Sequence, residues 1–333
     1  MKFGPVPVGE AAGAVLAHSV KTGAGRLRKG VRLRAGDLAA LRSDGIETVI
    51  VARLEPGDLD ENTAAARLAG ALVPDPAAAR LNVTEPFTGR VNLIADGPGV
   101  VDLDVTALEA FNRVHPMITC ATVPPWQQMT PGGMVATIKI ISYAVPETDV
   151  ARAMDVARGS VRLRAPVYPA AGLVITDIPG GPSNDKGIRS IRDRVEALGM
   201  VLNDIATVPH ETRALARALA GVDSDLVMIL TGSATSDIDD VAPSAVRQAG
   251  GTVTRFGMPV DPGNLLFLGN IGGKSVIGLP GCARSPALNG ADWVLSRLVC
   301  GVPVGDDDIA AMGVGGLLKE IPTRPQPRAG KKS

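Results

Sequence analysis

Five consecutive apolar residues, Leu226 to Leu230, stand between Asp225 and the pair Thr231-Gly232, and no other stretch of the chain limits its fold as strongly. A run this short, apolar at every position and closed by a turn, reads as a strand buried on both faces, the pattern of an interior strand in a parallel sheet. Strands and helices alternate around it. Residues 172–176 form one strand, and Ile188, Ile191, Val195 and Leu198 mark the apolar face of a helix that Gly199 ends. Leu215 and Leu219 line a further helix, another runs through Val246 to Gly250-Gly251, and residues 252–256 are a strand. Such alternation predicts a parallel sheet wound by crossover helices. Residues 264–268 and 274–279 are expected to pair around a turn at 269–273. A final helix has Ser285 as N-cap and Pro286 at its first position, buries Leu288, Ala291, Leu295 and Leu298, and stops at Gly301.

Before Ala165-Pro166 the elements are shorter and mixed, which predicts an α+β region. A helical turn is expected at 8–16, a short helix at 38–41 stopped by Gly45, and a strand at 46–51. The helix 59–72 takes Asp58 as N-cap with Glu61 completing an acidic capping box. Strands follow at 90–95, 100–103, 117–123 and 134–144, with helices at 106–114 and 148–158. The prolines between 162 and 169 mark the boundary. The expected organisation is therefore an α+β region at 1–165, an α/β domain at 166–305, and an extension at 306–333 whose tail from Arg324 is disordered.

Ligands of open α/β sheets bind beyond the carboxyl ends of the strands. Beyond Leu230 come Thr231, Gly232, Ser233, Ala234, Thr235 and Ser236, tiny residues that let a ligand approach the main chain and offer amides and hydroxyls to anionic oxygens. Asp237, Asp239 and Asp240 then add negative charge, which would repel a phosphate unless a hard cation such as Mg²⁺ or a basic side chain lies between. The alternative is that these carboxylates only cap the helix that opens near Pro243.

Composition narrows the class. Lys and Arg number 34 and Asp and Glu number 34, so neither nucleic acid nor a membrane surface is implied as a partner. Aromatic residues make up only 3%, too few for the stacking platforms used on single strands. Cys120, Cys282 and Cys300 show no metal spacing and no even pairing, which suits a reducing compartment. The start Met1-Lys2-Phe3-Gly4-Pro5 has no apolar signal region, and the expected location is cytoplasmic.

Thr231-Gly232-Ser233 with Asp240 and Pro243, then Gly278-Leu279-Pro280-Gly281 and Ser285, resemble the molybdopterin-binding domain shared by molybdopterin adenylyltransferases and molybdenum insertases. Residues 6–13, Arg28-Lys29-Gly30, Asp37 and residues 132–140 resemble a variant group of molybdopterin-binding proteins, so the resemblance spans nearly the whole chain. It implies a three-layer α/β/α domain whose pocket holds molybdopterin, or the finished molybdenum cofactor, by the pterin's phosphate and dithiolene. Thr231, Gly232, Ser233, Ala234 and Thr235 would contact the ligand. Ser183 and Asn184, beside Gly180 and Gly181, would do so from the loop after the first strand, and Pro280, Gly281 and Ser285 would close the other wall. Asp240 matches the family's functionally important Asp. With Asp237 it is the expected catalytic and Mg²⁺-binding residue.

The resemblance implies a role in molybdenum cofactor biosynthesis or delivery. The protein is either an enzyme that inserts molybdenum or transfers a nucleotidyl group, or a carrier, chaperone or sensor that uses the same pocket without turnover. A molybdoenzyme, another cofactor-biosynthesis protein and a second copy of the chain are the expected protein partners. This sequence also departs from the family. Ser233 and Thr235 stand where glycine is usual, so a positive φ at either would cost about 1 to 2 kcal/mol. Cys282-Ala283 replaces Asn-Pro, exchanging an amide for a thiol that is either inert packing or a sulfur contact. Lys186 and Arg189 open a helix where they could neutralise a phosphate. His18, His115 and His210 show no triad spacing and read as surface or satisfied core residues.

Overall fold

A computed structural model describes residues 1–318, so the tail expected to be disordered from Arg324 lies outside the described residues. The chain divides into two compact units, one made of Met1–Gly97 and Val101–Arg164, the other of Pro98–Val100 and the described residues from Ala165 to Leu318.

The second unit is built on a six-stranded sheet in the order Val201–Pro209, Ala170–Asp177, Leu226–Leu230, Lys274–Leu279, Phe267–Ile271, Thr252–Phe256. The first four run parallel, and Phe267–Ile271 is antiparallel to both of its neighbours, Lys274–Leu279 and Thr252–Phe256. Every residue of Leu226–Leu230 is buried, and period-two alternation sends its side chains to opposite faces. Leu226, Met228 and Leu230 pack with Ile191, Val195, Leu295 and Val299 of the helices Asn184–Glu196 and Gly290–Val299. Val227 and Ile229 pack with Leu215, Leu219, Ala245 and Val246 of the helices Thr212–Ala220 and Val241–Gln248. Helices thus cover both faces in a three-layer α/β/α arrangement, as the uninterrupted apolar run requires. Truncating a side chain such as Ile229 to Ala would cost about 2 to 5 kcal/mol.

In this unit two local expectations are corrected and one strand is added. The edge strand Val201–Pro209 went unread because only Leu202 in it is buried, and Asn203, Asp204 and Pro209 are poor strand residues. They are tolerated at an edge, where no further strand needs their amides. The hairpin turn is narrower than 269–273: Ile271 pairs with Lys274, and Gly272-Gly273 alone turn the chain, at φ +57° and +87°. Both central residues of such a turn need positive φ. The last long helix starts at Gly290 rather than after Ser285. Asn289 caps it, accepting the Ala291 amide at 2.9 Å, while Asp292 takes the Asn289 amide at 2.8 Å. Leu288 is correspondingly 55% exposed, not buried.

In the first unit the strands Ile118–Thr122, Met134–Ile140, Arg90–Ala95 and Leu81–Val83 form an antiparallel sheet in that order. The helices Glu61–Leu72, Val105–Val114 and Glu147–Val156 contribute Leu68, Phe111 and Ala153 to its core. A smaller sheet joins Lys2–Pro7, Thr48–Arg53 and Val15–Leu16, with Leu38 and Leu41 of the helix Ala35–Ser43 in the core beside it. The turn expected at 8–16 is a 3-10 turn at Val8–Glu10 followed by strand. The N-cap of Glu61–Leu72 is Asp60, whose carboxylate accepts the Asn62 and Thr63 amides at 3.1 Å, not Asp58. Asp58 lies in a strand pairing with Pro146 and holds the Met1 amino group at 2.7 Å. Strand 134–144 is likewise two strands, Met134–Ile140 and Ala144–Pro146.

Candidate functional site

Three loops leave the carboxyl ends of the parallel strands of the second unit, and all the site residues read from the sequence lie on them. After Asp177 the chain turns through Gly180 and Gly181 into the helix Asn184–Glu196. Ser183 occupies the N-cap position and is exposed, but its hydroxyl caps nothing, so the first amides of this helix are left open. Asn184 is half-buried and its Nδ2 donates to Asp177 at 3.3 Å. Lys186 and Arg189 are exposed on the first turns of the same helix.

The second loop follows the central strand. Gly232 approaches the neighbouring strand so closely that a Cβ there would lie 2.7 Å from the Thr176 carbonyl oxygen. Its amide donates to Thr176 Oγ1 at 3.0 Å, and is therefore spoken for before any ligand arrives. Thr231 and Thr235 are buried, and their hydroxyls meet at 3.3 Å. The Thr231 hydroxyl also donates to the Ser233 carbonyl at 2.5 Å. Ser233 and Ala234 are exposed. No residue from 231 to 236 has a positive φ, so serine and threonine replace the family's glycines without backbone strain. Among the described residues, the amides of Ser233, Ala234 and Thr235 have no hydrogen-bond partner. Three consecutive open amides on a loop of small residues can receive an oxyanion.

Asp240 caps the helix Val241–Gln248: Oδ1 accepts the Val241 amide at 2.7 Å and Oδ2 the Ser236 amide at 3.0 Å. Asp237 is exposed, with Oδ1 accepting the Asp239 amide at 2.8 Å. Asp239 pairs with Arg247 at 2.8 Å. Among the described residues no three of His, Cys, Asp and Glu gather into a metal-holding group. A Mg²⁺ ion held by one or two carboxylates and completed by ligand phosphate and water needs no such group. Of the two candidate carboxylates, Asp237 keeps Oδ2 without a hydrogen bond, whereas both Asp240 oxygens accept amides.

The third loop begins at buried Pro280 and exposed Gly281 and continues as the 3-10 turn Gly281–Arg284. Ser285 follows that turn, and its hydroxyl accepts the Ala287 amide at 3.3 Å. Cys282 is half-buried, and burial pushes its thiol up from the ordinary value. Arg194 fixes this loop: Nε pairs with Asp292 at 2.5 Å, Nη1 donates to the Ala283 carbonyl at 3.1 Å, and Nη2 to those of Ser285 and Ala287 at 2.9 and 3.1 Å. Residues 285–288 are not helical, and the helix begins at Gly290 under its Asn289 cap.

Sequence reasoning missed Thr176 and Arg284, and read His210 only as a surface or satisfied core residue. Thr176 is fully buried, and its hydroxyl meets His210 Nδ1 at 2.7 Å as well as the Gly232 amide. A lone polar residue at the end of the apolar run 171–175 was its only signal. Arg284 is 9% exposed and joins the loops, donating to the Ser183 carbonyl at 3.2 Å and the Thr231 carbonyl at 3.1 Å. An arginine in a Gly-Cys-Ala-Arg-Ser stretch carries no sequence sign of burial.

Residues 176–298 match the model of the family described as "Probable molybdopterin binding domain". The matched stretch contains Thr231-Gly232-Ser233, Asp240 and Leu279-Pro280-Gly281, the residues on which the resemblance rests, and is similar to that family's domain. Residues 5–53 match a domain of unknown function. Among solved structures, the chain is similar to a molybdopterin biosynthesis MoeA protein from Pyrococcus horikosii at 14% identity, covering 90% of this chain and 75% of that one, with a TM-score of 0.32. A molybdenum cofactor biosynthesis protein B matches at 18% identity over 40% of this chain and 88% of that one, with a TM-score of 0.28. A molybdenum cofactor biosynthesis protein from Pyrococcus furiosus matches at 13% identity over 90% and 61%, with a TM-score of 0.23. No curated protein matches the chain significantly. Among the described residues no helix is long and apolar enough to cross a membrane.

Proposed function

We propose that the protein binds molybdopterin, or the cofactor made from it, by the phosphate at the carboxyl edge of the second unit, and acts in molybdenum cofactor biosynthesis or delivery in the cytoplasm. The observation that carries this reading is the set of open amides at Ser233, Ala234 and Thr235, on a segment matched by the family model. The donors are main-chain groups fixed by the strand before them and the Asp240 cap after them, so little ordering is lost when an oxyanion enters. Ser183, Asn184, Pro280, Gly281 and Ser285 flank them as the other two walls. Handing the ligand to a molybdoenzyme or to another protein of the same biosynthesis needs no further chemistry from this chain, and Asp240, with both oxygens engaged by amides, suits that binding role.

A second reading, molybdenum insertion or nucleotidyl transfer, is favoured by the unengaged Oδ2 of Asp237 beside Asp240. These two residues would hold Mg²⁺, which supplies charge neutralisation at a transferred oxygen. Incubation with molybdopterin, Mg-ATP and molybdate separates the readings. Tight binding without nucleotide turnover or metal insertion supports the carrier. Turnover that Asp240→Asn abolishes, while the variant still binds, establishes the enzyme.

A further inference from the structure

The site contains one charge that its own contacts do not balance. The Arg284 guanidinium lies where the three loops meet, tied to the Ser183 and Thr231 carbonyls, while its Nε is shielded from solvent and has no partner. Among the described residues no carboxylate stands within ion-pair distance of it. The charge of Asp177 reaches it from further away and partly offsets the effect of burial, which lowers the pKa of the guanidinium. Arginine nonetheless stays protonated in proteins. A buried cation satisfied only by neutral carbonyls is less favourable than hydrocarbon of the same volume. The surrounding helix makes room for it all the same: at Gly187 a Cβ would sit 2.9 Å from Nη1 and 2.8 Å from Leu230 Cδ2.

Donors and cations are grouped about this position. The open amides of Ser233, Ala234 and Thr235 follow Thr231, whose carbonyl Arg284 holds. The uncapped first turn of Asn184–Glu196, with Lys186 and Arg189, follows Ser183, whose carbonyl Arg284 also holds. Both donor groups therefore take their relative position from one guanidinium.

We propose that Arg284 is the positioning residue and buried counter-charge of the ligand's phosphate. Its two Nη groups set the spacing between the Ser183 and Thr231 loops so that one phosphomonoester fits between them, and the entering anion supplies the charge that the guanidinium lacks. The phosphate binds the loop amides and Arg284 acts from behind them. The assignment rests on the reading of this site as a seat for a phosphorylated pterin.

Calorimetric titration of neopterin monophosphate, with unphosphorylated neopterin as the control, tests it on the full chain and on Arg284→Met and Gly187→Ala. Each variant is expected to weaken the phosphomonoester at least tenfold and to leave neopterin within twofold. The double variant should bind no more weakly than Arg284→Met alone, since the change at Gly187 reaches the phosphate site through Arg284, while its contact with Leu230 Cδ2 is read separately, as a loss of stability that does not distinguish the two pterins. Where Arg284→Met does not fold by circular dichroism, Arg284→Gln and Gly187→Ala carry the same expectation. Folded variants that bind the phosphomonoester within twofold of the unsubstituted protein, or that lose both pterins equally, overturn the assignment. An unsubstituted protein that binds neither pterin overturns the phosphopterin reading and this assignment with it.

Discussion

Thr176 Oγ1 accepts the Gly232 amide at 3.0 Å, so the last buried residue of one parallel strand sets where the chain leaves the next. Thr176→Val keeps the shape and removes the acceptor, leaving the half-buried Gly232 amide unpaired at a cost of about 1 to 3 kcal/mol. Thr176→Ser restores the acceptor and should recover most of that loss. Gly232→Ala forces a Cβ against the Thr176 carbonyl and is expected to cost about 1 to 3 kcal/mol as an overpacking change. Urea denaturation of the three variants checks the order.

Asp240 is a helix cap whatever else it does. Asp240→Ala should cost about 0.5 to 2 kcal/mol, and Asp240→Asn markedly less because Asn caps helices about as well as Asp. Equal losses in the two variants, measured by thermal denaturation, would show that charge rather than capping holds the loop.

Arg194 and Asp292 are both largely buried, at 11% and 14% side-chain exposure. Arg194→Met removes one partner, strands the Asp292 charge and frees the carbonyls of Ala283, Ser285 and Ala287. The expected loss is about 3 to 5 kcal/mol. Hydrogen exchange across residues 281–290 should accelerate more than across the helix Thr212–Ala220 on the opposite face of the sheet.

The thiols give a pH-dependent test. Burial pushes Cys120 up to about 12, so at pH 8 only about one molecule in 10⁴ carries the thiolate that alkylating agents attack. Iodoacetamide at pH 8 should leave Cys120 unmodified in the folded protein and modify it rapidly in denaturant. Cys282, raised but half-buried, should react before Cys120 as the pH is increased, and mass spectrometry of the peptides reads the order.

The parallel sheet was legible because Leu226–Leu230 is apolar at every position, and burial on both faces leaves that pattern no other explanation. The second loop was legible for a related reason: small residues directly after a buried strand have few uses other than close approach. What escaped notice depends on partners distant in sequence. Asn289 and Ser285 are both acceptable N-caps by composition; Ser285 lies in the loop that Arg194, about ninety residues earlier, ties down through the Ser285 and Ala287 carbonyls, and Asn289 follows that loop. Arg284 is buried because Gly187 on another helix leaves it space, a fact with no local trace. The edge strand Val201–Pro209 was missed because an edge does not impose the apolar pattern that an interior strand does.

The most direct test of the account is nitrogen-15 amide NMR of the protein titrated with neopterin monophosphate and, separately, with neopterin. The account predicts saturable shifts of the Ser233, Ala234 and Thr235 amides with the phosphomonoester, much smaller ones with neopterin, and little change at Gly232, whose amide is already bound to Thr176. Saturable binding that leaves those three amides unmoved, or no binding of the phosphomonoester at all, would contradict it.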